Sequence, residues 1–169
     1  DAYNTAVGRK AGYAITTGTQ NTALGGLALD ANTTASNNTA VGYNSLGANT
    51  TGTQNTAVGS LAGNSLTTGN NLAALGYNAG SALTTGANNT ALGASSLDAC
   101  TTAANNTAVG NDALTTTITG ANNTAVGSGS LNANTAGNNT AVGYLALTAN
   151  TSGGDNTAVG KSAMAANTT

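Results

Sequence analysis

The pentapeptide Asn4-Thr5-Ala6-Val7-Gly8 opens a unit that occurs ten times along this chain with few changes. The glycine of this unit is called here the motif glycine. Successive motif glycines are 17 residues apart, as Gly8 and Gly25 are, except that the step from Gly127 to Gly143 is one residue shorter. A repeat this short and regular indicates that the chain stacks one coil on the next instead of folding into a globular domain. The coils are numbered 1 to 10 by their motif glycines, which we expect at corners: Gly8, Gly25, Gly42, Gly59, Gly76, Gly93, Gly110, Gly127, Gly143 and Gly160.

The residues that precede the motif glycine alternate with the period of a β-strand. In Thr-Ala-Val-Gly, Thr and Val share one face, while Ala and Gly share the other. The many Gly and Asn residues disfavour a helix, whereas Thr and Val favour a strand. The residue directly before the motif glycine is Val or Leu in every coil, and we therefore predict that it points into the core. This Val/Leu column comprises Val7, Leu24, Val41, Val58, Leu75, Leu92, Val109, Val126, Val142 and Val159.

A large apolar residue changes place between two further columns. Most coils have Leu or Met four residues after the motif glycine, and five of those have Asn three residues further on, as in Leu29 and Asn32. Three coils invert the order, with glycine first and the large residue second: Gly12 with Ile15, Gly63 with Leu66, and Gly80 with Leu83. Because interior volume is conserved by this exchange, we predict that both places fill the same side of the core.

Two columns of small residues allow two interpretations. Ala stands two residues before every motif glycine, and Ala or Ser stands three residues after it. These residues would either let a second chain approach closely or fill the tight interior of one coil. A second glycine or alanine lies ten residues after the motif glycine, and the single deletion falls just after Gly137, at a corner that we expect on the surface.

The pattern predicts an all-β fold, a parallel β-solenoid (a β-roll or β-helix) of ten 17-residue coils with two or three short strands each. Coils stacked about 4.8 Å apart would form a rod on the order of 48 Å long, with identical residues aligned in ladders. Asn and Thr ladders would form hydrogen bonds along the rod. We expect residues 1–169 to be one repetitive segment of a longer fibre. The core is thin and uncapped strand edges invite stacking, so we also expect self-association.

Composition excludes several classes of function. Charged residues make up 5% of the chain and the net charge is −2, so no basic patch for nucleic acid is present. No apolar run approaches the ~18 residues of a membrane span. The chain has no His and a single Cys, which gives no metal or cofactor site. We predict no catalytic residues and no enzyme activity, because catalysis needs titratable groups that converge. The acids of this chain are scattered along it: Asp1, Asp30, Asp98, Asp112 and Asp155.

Other residues suggest local roles. We expect Cys100 to be a small buried hydrophobe, with a reactive thiol as the alternative. Tyr43, Tyr77 and Tyr144 directly follow motif glycines and should point outward, where they would contact glycans or a neighbouring rod, or cap a corner. Asn-x-Thr/Ser sequons arise from the repeat and are expected to stay unmodified: Asn32, Asn37, Asn49, Asn88, Asn105, Asn122, Asn138 and Asn150.

The unit Asn-Thr-Ala-Val-Gly-x-x-Ala-Leu…Asn-Thr-Thr-Gly resembles the repeats of phage-type tail fibres and bacterial surface fibres. Its core, Val7-Gly8-Arg9-Lys10-Ala11, is similar to the head repeats of trimeric autotransporter adhesins. The resemblance covers essentially the whole chain. It implies a left-handed parallel β-roll, a homotrimer, and an extracellular, cell-surface or virion location. The adhesin repeat is shorter than the repeat of this chain, so its coil geometry cannot be transferred directly.

The leading hypothesis is therefore a structural fibre segment that forms a rigid rod, with attachment to surface glycans as an additional role. The alternatives are an ice-binding or glycan-binding β-solenoid and a carbohydrate-processing β-helix enzyme. An ice face would need Thr residues spaced two apart on one strand. Adjacent pairs such as Thr33-Thr34 should point to opposite faces.

Overall fold

The computed structural model describes residues 2–169, and in this range it contains ten β-strands and no helix. The strands form one parallel sheet in chain order, with one strand in each repeat, so the predicted parallel β-solenoid is confirmed. Their bounds are β1 Thr5–Val7, β2 Thr22–Leu24, β3 Thr39–Val41, β4 Thr56–Val58, β5 Ala73–Leu75, β6 Thr90–Leu92, β7 Thr107–Val109, β8 Thr124–Val126, β9 Thr140–Val142 and β10 Thr157–Val159.

The strands pair in register, so that equivalent residues of neighbouring coils are opposite one another. Between β1 and β2 the Cα partners are Thr5 with Thr22, Ala6 with Ala23 and Val7 with Leu24. The same alignment continues across all nine strand pairs. Each column of the repeat is therefore a physical ladder along the rod.

Each coil has one three-residue strand instead of the two or three that we predicted. The rest of the coil still bonds to its neighbour: the Gly12 N–H donates to the Ala28 carbonyl at 2.9 Å and the Ala14 N–H donates to the Asp30 carbonyl at 3.1 Å. Residues two and four places after the motif glycine have left-handed backbones, with φ of 58° at Lys10 and 52° at Leu29. This conformation interrupts the extended backbone, which is why no second strand forms.

The Val/Leu column lies on the outside of the solenoid, so the prediction that it lines the core is wrong for the single chain. The alanines before it are buried, as shown by Ala40 at 0% exposure, whereas Leu75 is 53% and Val159 is 71% exposed. Five members of the column are exposed: Val7, Leu24, Leu75, Val142 and Val159. The other five are half-buried: Val41, Val58, Leu92, Val109 and Val126.

The space between the strand and the opposite wall of the coil explains this orientation. A Cβ placed on Gly80, four residues after its motif glycine, would lie 3.8 Å from the Ala91 Cβ of the strand. A Cβ on Gly63 would lie 3.9 Å from the Ala57 Cβ. The two walls are thus almost in contact, and only Ala fits on the inner face of the strand. Filling of a tight interior is therefore the correct interpretation of this small column, and a chain–chain contact through it is not.

The large apolar residues of the core come from the two exchanging columns, as predicted. Leu46 in one pattern and Leu66 and Leu83 in the other are all 0% exposed. A Cβ on Gly80 would lie 3.1 Å from Leu83 Cδ1, so the residue three places later occupies the volume that glycine leaves free. In the terminal coils Ile15 is half-buried and Met164 is 43% exposed.

A buried Asn column, four residues before the motif glycine, connects the coils. The Asn38 side-chain Nδ2 donates to the Gly52 carbonyl of its own coil at 2.9 Å. Its Oδ1 accepts the backbone N–H of Asn55 in the next coil, also at 2.9 Å. Leu72 interrupts this column: its N–H still donates to Asn55 Oδ1, but it has no amide to offer the following coil. Its Cδ2 lies only 2.9 Å from the position of a Cβ on Gly63, so it fills space that the glycine leaves open.

The shortened coil shows which position of the repeat is dispensable. Ala136, and not Gly137 as the sequence suggested, provides the carbonyl that accepts from the Asn column, here Asn123 at 3.0 Å. The missing residue is thus the one nine places after the motif glycine, between Thr135 and Ala136. In the other coils this position is an exposed Thr or Ser, such as Thr68, which fits the expected surface corner.

Candidate functional site

No pocket is found anywhere in residues 2–169, and the same residues contain no group of three or more His, Cys, Asp or Glu side chains that could hold a metal ion. Asp1, one of the five acids, lies outside the described residues. Asp30 and Asp98, which share a column, are both half-buried.

Asp98 and Asp112 lie in adjacent coils, and sequence reasoning did not pair them because they occupy different columns. Burial raises the pKa of Asp98, and the negative charge of Asp112 raises it further. The Asn78 Nδ2 donates to Asp98 Oδ2 at 3.4 Å, which opposes the shift in pKa. The arrangement is a hydrogen-bonded surface carboxylate with one like-charged neighbour.

Cys100 is fully buried, as predicted for a small interior hydrophobe. It takes the place that Asn has in other coils, and its Sγ lies 3.9 Å from the Ala103 carbonyl oxygen. Burial raises the pKa of the thiol from 9.0 to about 11. A thiol that stays protonated at neutral pH is a poor nucleophile, which disfavours the alternative of a reactive cysteine.

One uniform surface is the outer side of the ten strands, called here the sheet face. It combines the Val/Leu column with the Thr column two residues earlier, in which Ala73 is the only departure from Thr. Neither column contains a charged residue. In the register of the sheet, each strand presents one hydroxyl-bearing and one aliphatic side chain, and this pair repeats at every coil except that of Ala73.

The tyrosine column, one residue after the motif glycine, lies beside the sheet face. Tyr43, Tyr77 and Tyr144 are 56%, 60% and 52% exposed, so their predicted outward orientation is confirmed. The Tyr43 ring rests over the preceding coil, since its Cδ2 lies 3.7 Å from the position of a Cβ on Gly26.

The structure divides the sequons into two groups. Asn32, Asn49 and Asn150 are buried and bond to their own coils. The others are exposed and have left-handed backbones: Asn37, Asn88, Asn105, Asn122 and Asn138. Four of these form an outer amide ladder, in which Asn88 Nδ2 donates to Asn105 Oδ1 at 3.1 Å and the series continues through Asn122 to Asn138. Sequence reasoning did not separate these two groups because both carry the same triplet.

Within residues 2–169 there is no helix long and apolar enough to cross a membrane. Comparison of the chain with protein-family models, curated proteins and solved structures gives no match.

Proposed function

We propose that this chain is a structural segment of an extracellular fibre, in which stacked coils form a rigid rod. The observation that carries the proposal is the unbroken register of ten parallel strands, in which the strand pairing repeats from each coil to the next. The length of such an object is set by the number of coils. The resemblance to tail-fibre and surface-adhesin repeats supports a location on a virion or cell surface.

The experiment removes one whole coil, residues 39–55, which joins Asn38 directly to Thr56 and preserves the order of the columns. We expect a folded protein whose maximum dimension in small-angle X-ray scattering falls by about 4.8 Å. The control removes only residues 39–46, which breaks the register within one coil and should lower the β-sheet circular dichroism signal and the thermal stability more than the whole-coil deletion does. A whole-coil deletion that unfolds the chain would contradict the proposal of an additive rod.

Antibodies raised against this rod test the proposed location. They should label filaments on the outside of intact virions or cells by immunoelectron microscopy. Labelling that appears only after cells are permeabilised would contradict an extracellular fibre.

The sheet face supports self-association, with a homotrimer as the number implied by the resemblance. Strands three residues wide and ten coils long give a face of about 10 by 48 Å, or about 480 Å². Stable interfaces bury about 800 Å² per partner, so this segment alone should associate weakly and a longer array more strongly. Analytical ultracentrifugation of chains with ten and twenty coils tests this, and equal association of both would argue against the sheet face as the interface.

Ice binding remains a second candidate because one Thr per strand repeats in register along the sheet face, in every coil except that of Ala73. The residue two places later on the same face is Val or Leu, so the face offers one Thr column and not the two that the sequence criterion requires. Thermal hysteresis that disappears in a Thr107→Lys variant would support this function. The same face cannot meet ice and a second chain together, so a stable trimer would exclude it.

A further inference from the structure

Residues of the tyrosine column alternate between large and small in coils 1 to 9. Odd-numbered coils carry Arg9, Tyr43, Tyr77, Asn111 and Tyr144, coils 2, 4, 6 and 8 carry Gly26, Ser60, Ala94 and Ser128, and coil 10 departs from the pattern with Lys161. All three tyrosines of the column therefore stand an even number of coils apart, two between the first pair and four between the second.

Packing explains the alternation. Neighbouring coils are about 4.8 Å apart, so a ring that lies over the coil before it covers the position of that coil's own residue in the column. The ring of Tyr43 covers the coil before it, 3.7 Å from where a Cβ on Gly26 would be. A ring in this orientation favours a small residue in the previous coil, as Gly26, Ser60 and Ser128 are, and the three rings of the column stand at multiples of about 9.6 Å.

Polar groups accompany the first two rings in the same two-coil period. The tripeptide Gly-Tyr-Asn occurs at residues 42–44 and again at 76–78, so each ring is followed by a half-buried amide, Asn44 or Asn78. Ser60 lies in the coil between the rings. Exposed rings flanked by uncharged hydrogen-bonding groups suit a neutral ligand with alternating apolar faces and hydroxyls.

We propose that the tyrosine column binds an extended β-1,4-linked glycan that runs along the rod, with sugar faces stacked on Tyr43 and Tyr77. In such a ribbon every second sugar presents the same face, and two coil spacings, about 9.6 Å, are close to the length of its repeating disaccharide. Asn44, Ser60 and Asn78 would bond the hydroxyls between the stacked sugars, and Asn78 would do so through its Oδ1 because its Nδ2 donates to Asp98 Oδ2. Tyr144, a further four coils along, provides a third contact in phase with the first two.

This glycan site does not depend on the proposed fibre role. A rod that shortens by one coil as expected, yet binds no glycan, would leave the fibre proposal intact and overturn only the site. Conversely, glycan binding by this chain would stand even if antibodies found no filament on a cell or virion surface.

The first experiment titrates the 169-residue chain with cellohexaose by isothermal calorimetry, with maltohexaose as the non-ribbon control. We expect saturable binding of cellohexaose alone, and about a tenfold loss of affinity in Tyr43→Ala and in Tyr77→Ala. Tyr13→Ala, which removes a 75% exposed ring outside this column, should bind as the unaltered chain does. Failure of both cellohexaose and chitohexaose to bind, or equal binding of maltohexaose, would overturn the proposal. Chitohexaose in parallel distinguishes a plain from an N-acetylated ribbon as the preferred form.

The second experiment changes the spacing of the rings without changing their number. The double variant Tyr77→Ala/Ala94→Tyr places the second ring three coils from Tyr43, about 14.4 Å, which is out of phase with the disaccharide. We expect it to bind about as weakly as Tyr77→Ala. Affinity equal to that of the unaltered chain would show that spacing is irrelevant and would overturn the proposal. Circular dichroism checks that each variant keeps its fold.

Discussion

The motif glycine of each inner coil leaves no room for a side chain. At Gly76 the backbone φ is +139°, and an added Cβ would lie 2.6 Å from the carbonyl oxygen of Gly93 in the next coil. At Gly160 in the last coil φ is similar, +127°, but the nearest atom to an added Cβ is 3.9 Å away. A side chain added at either site would therefore strain the backbone, but only at Gly76 would it also collide with the next coil.

We predict that Gly160→Ala lowers the free energy of unfolding by about 1–3 kcal/mol through backbone strain. Gly76→Ala should cost about 1–3 kcal/mol more because it also forces two coils apart. Urea denaturation followed by circular dichroism measures both. Equal losses in the two variants would show that the contact between coils does not matter.

Cys100 should make stability depend on alkaline pH. Burial raises its pKa to about 11 in the folded chain, above the ordinary value of 9.0, so the folded state holds this proton more tightly than the unfolded state. Its contribution is complete below pH 9.0 and is lost as pH rises to about 11, with a total of about 2–3 kcal/mol. The control is Cys100→Asn, which retains every other titratable group of the chain. If both proteins lose stability equally over this range, the thiol does not contribute.

At the scale of the strand, a single substitution should lower the stability of the protein when it lies on the inner face and leave it almost unchanged when it lies on the outer face. Ala141 is 0% exposed against the opposite wall, whereas its neighbour Val142 is 36% exposed. We expect Ala141→Val to cost about 1–3 kcal/mol by overpacking. Val142→Ala should stay within about 0.5 kcal/mol when measured at a concentration where the chain is monomeric. A larger loss of stability in Val142→Ala would indicate that the Val/Leu column is part of the core.

The exchange of leucine between two columns should appear as energetic coupling. Leu46→Gly should cost about 2–5 kcal/mol, and Asn49→Leu about 1–3 kcal/mol. The double variant gives coil 3 the pattern of coils 4 and 5, so it should be more stable than the sum of the two losses by about 1–2 kcal/mol. A double-mutant cycle from urea melts measures the coupling, and simple additivity would mean that the two places do not share one volume.

The sequence was sufficient to predict the period, the parallel solenoid and the exchange between residues such as Leu29 and Ile15, because these features repeat in one dimension. It could not show which face of Thr-Ala-Val points inward. That choice depends on the distance between the strand and the opposite wall of the coil. The size of a residue such as Val109 does not reveal this distance, so it cannot show which face points inward. Left-handed backbones at Leu46 and its equivalents were hidden for a similar reason, since tertiary packing overrides the local preference of leucine.

For the whole molecule, Leu72 divides the buried Asn column into two runs. Asn55 and Asn106 each donate their backbone N–H to an amide oxygen of the previous coil, but Asn89 follows Leu72 and has no such oxygen to bond. We predict that the Asn89 amide exchanges its hydrogen fastest of the three. Hydrogen exchange followed by NMR measures this, and stronger protection at Asn89 would contradict it. Leu72→Asn, which restores the amide, is the matched variant and should slow the exchange.

The irregular coils also have a consequence for how the chain finds its native alignment. In a set of identical repeats, a misfolded form that skips one coil and shifts every later partner by one whole repeat would satisfy nearly the same ladders, and the landscape would contain many near-degenerate minima. Leu72, which fits only beside Gly63 and Gly80, and the missing residue between Thr135 and Ala136 are not interchangeable with their equivalents in other coils. A shifted alignment would lose the contacts that these irregular positions make, so these departures from regularity help to specify a single folded state.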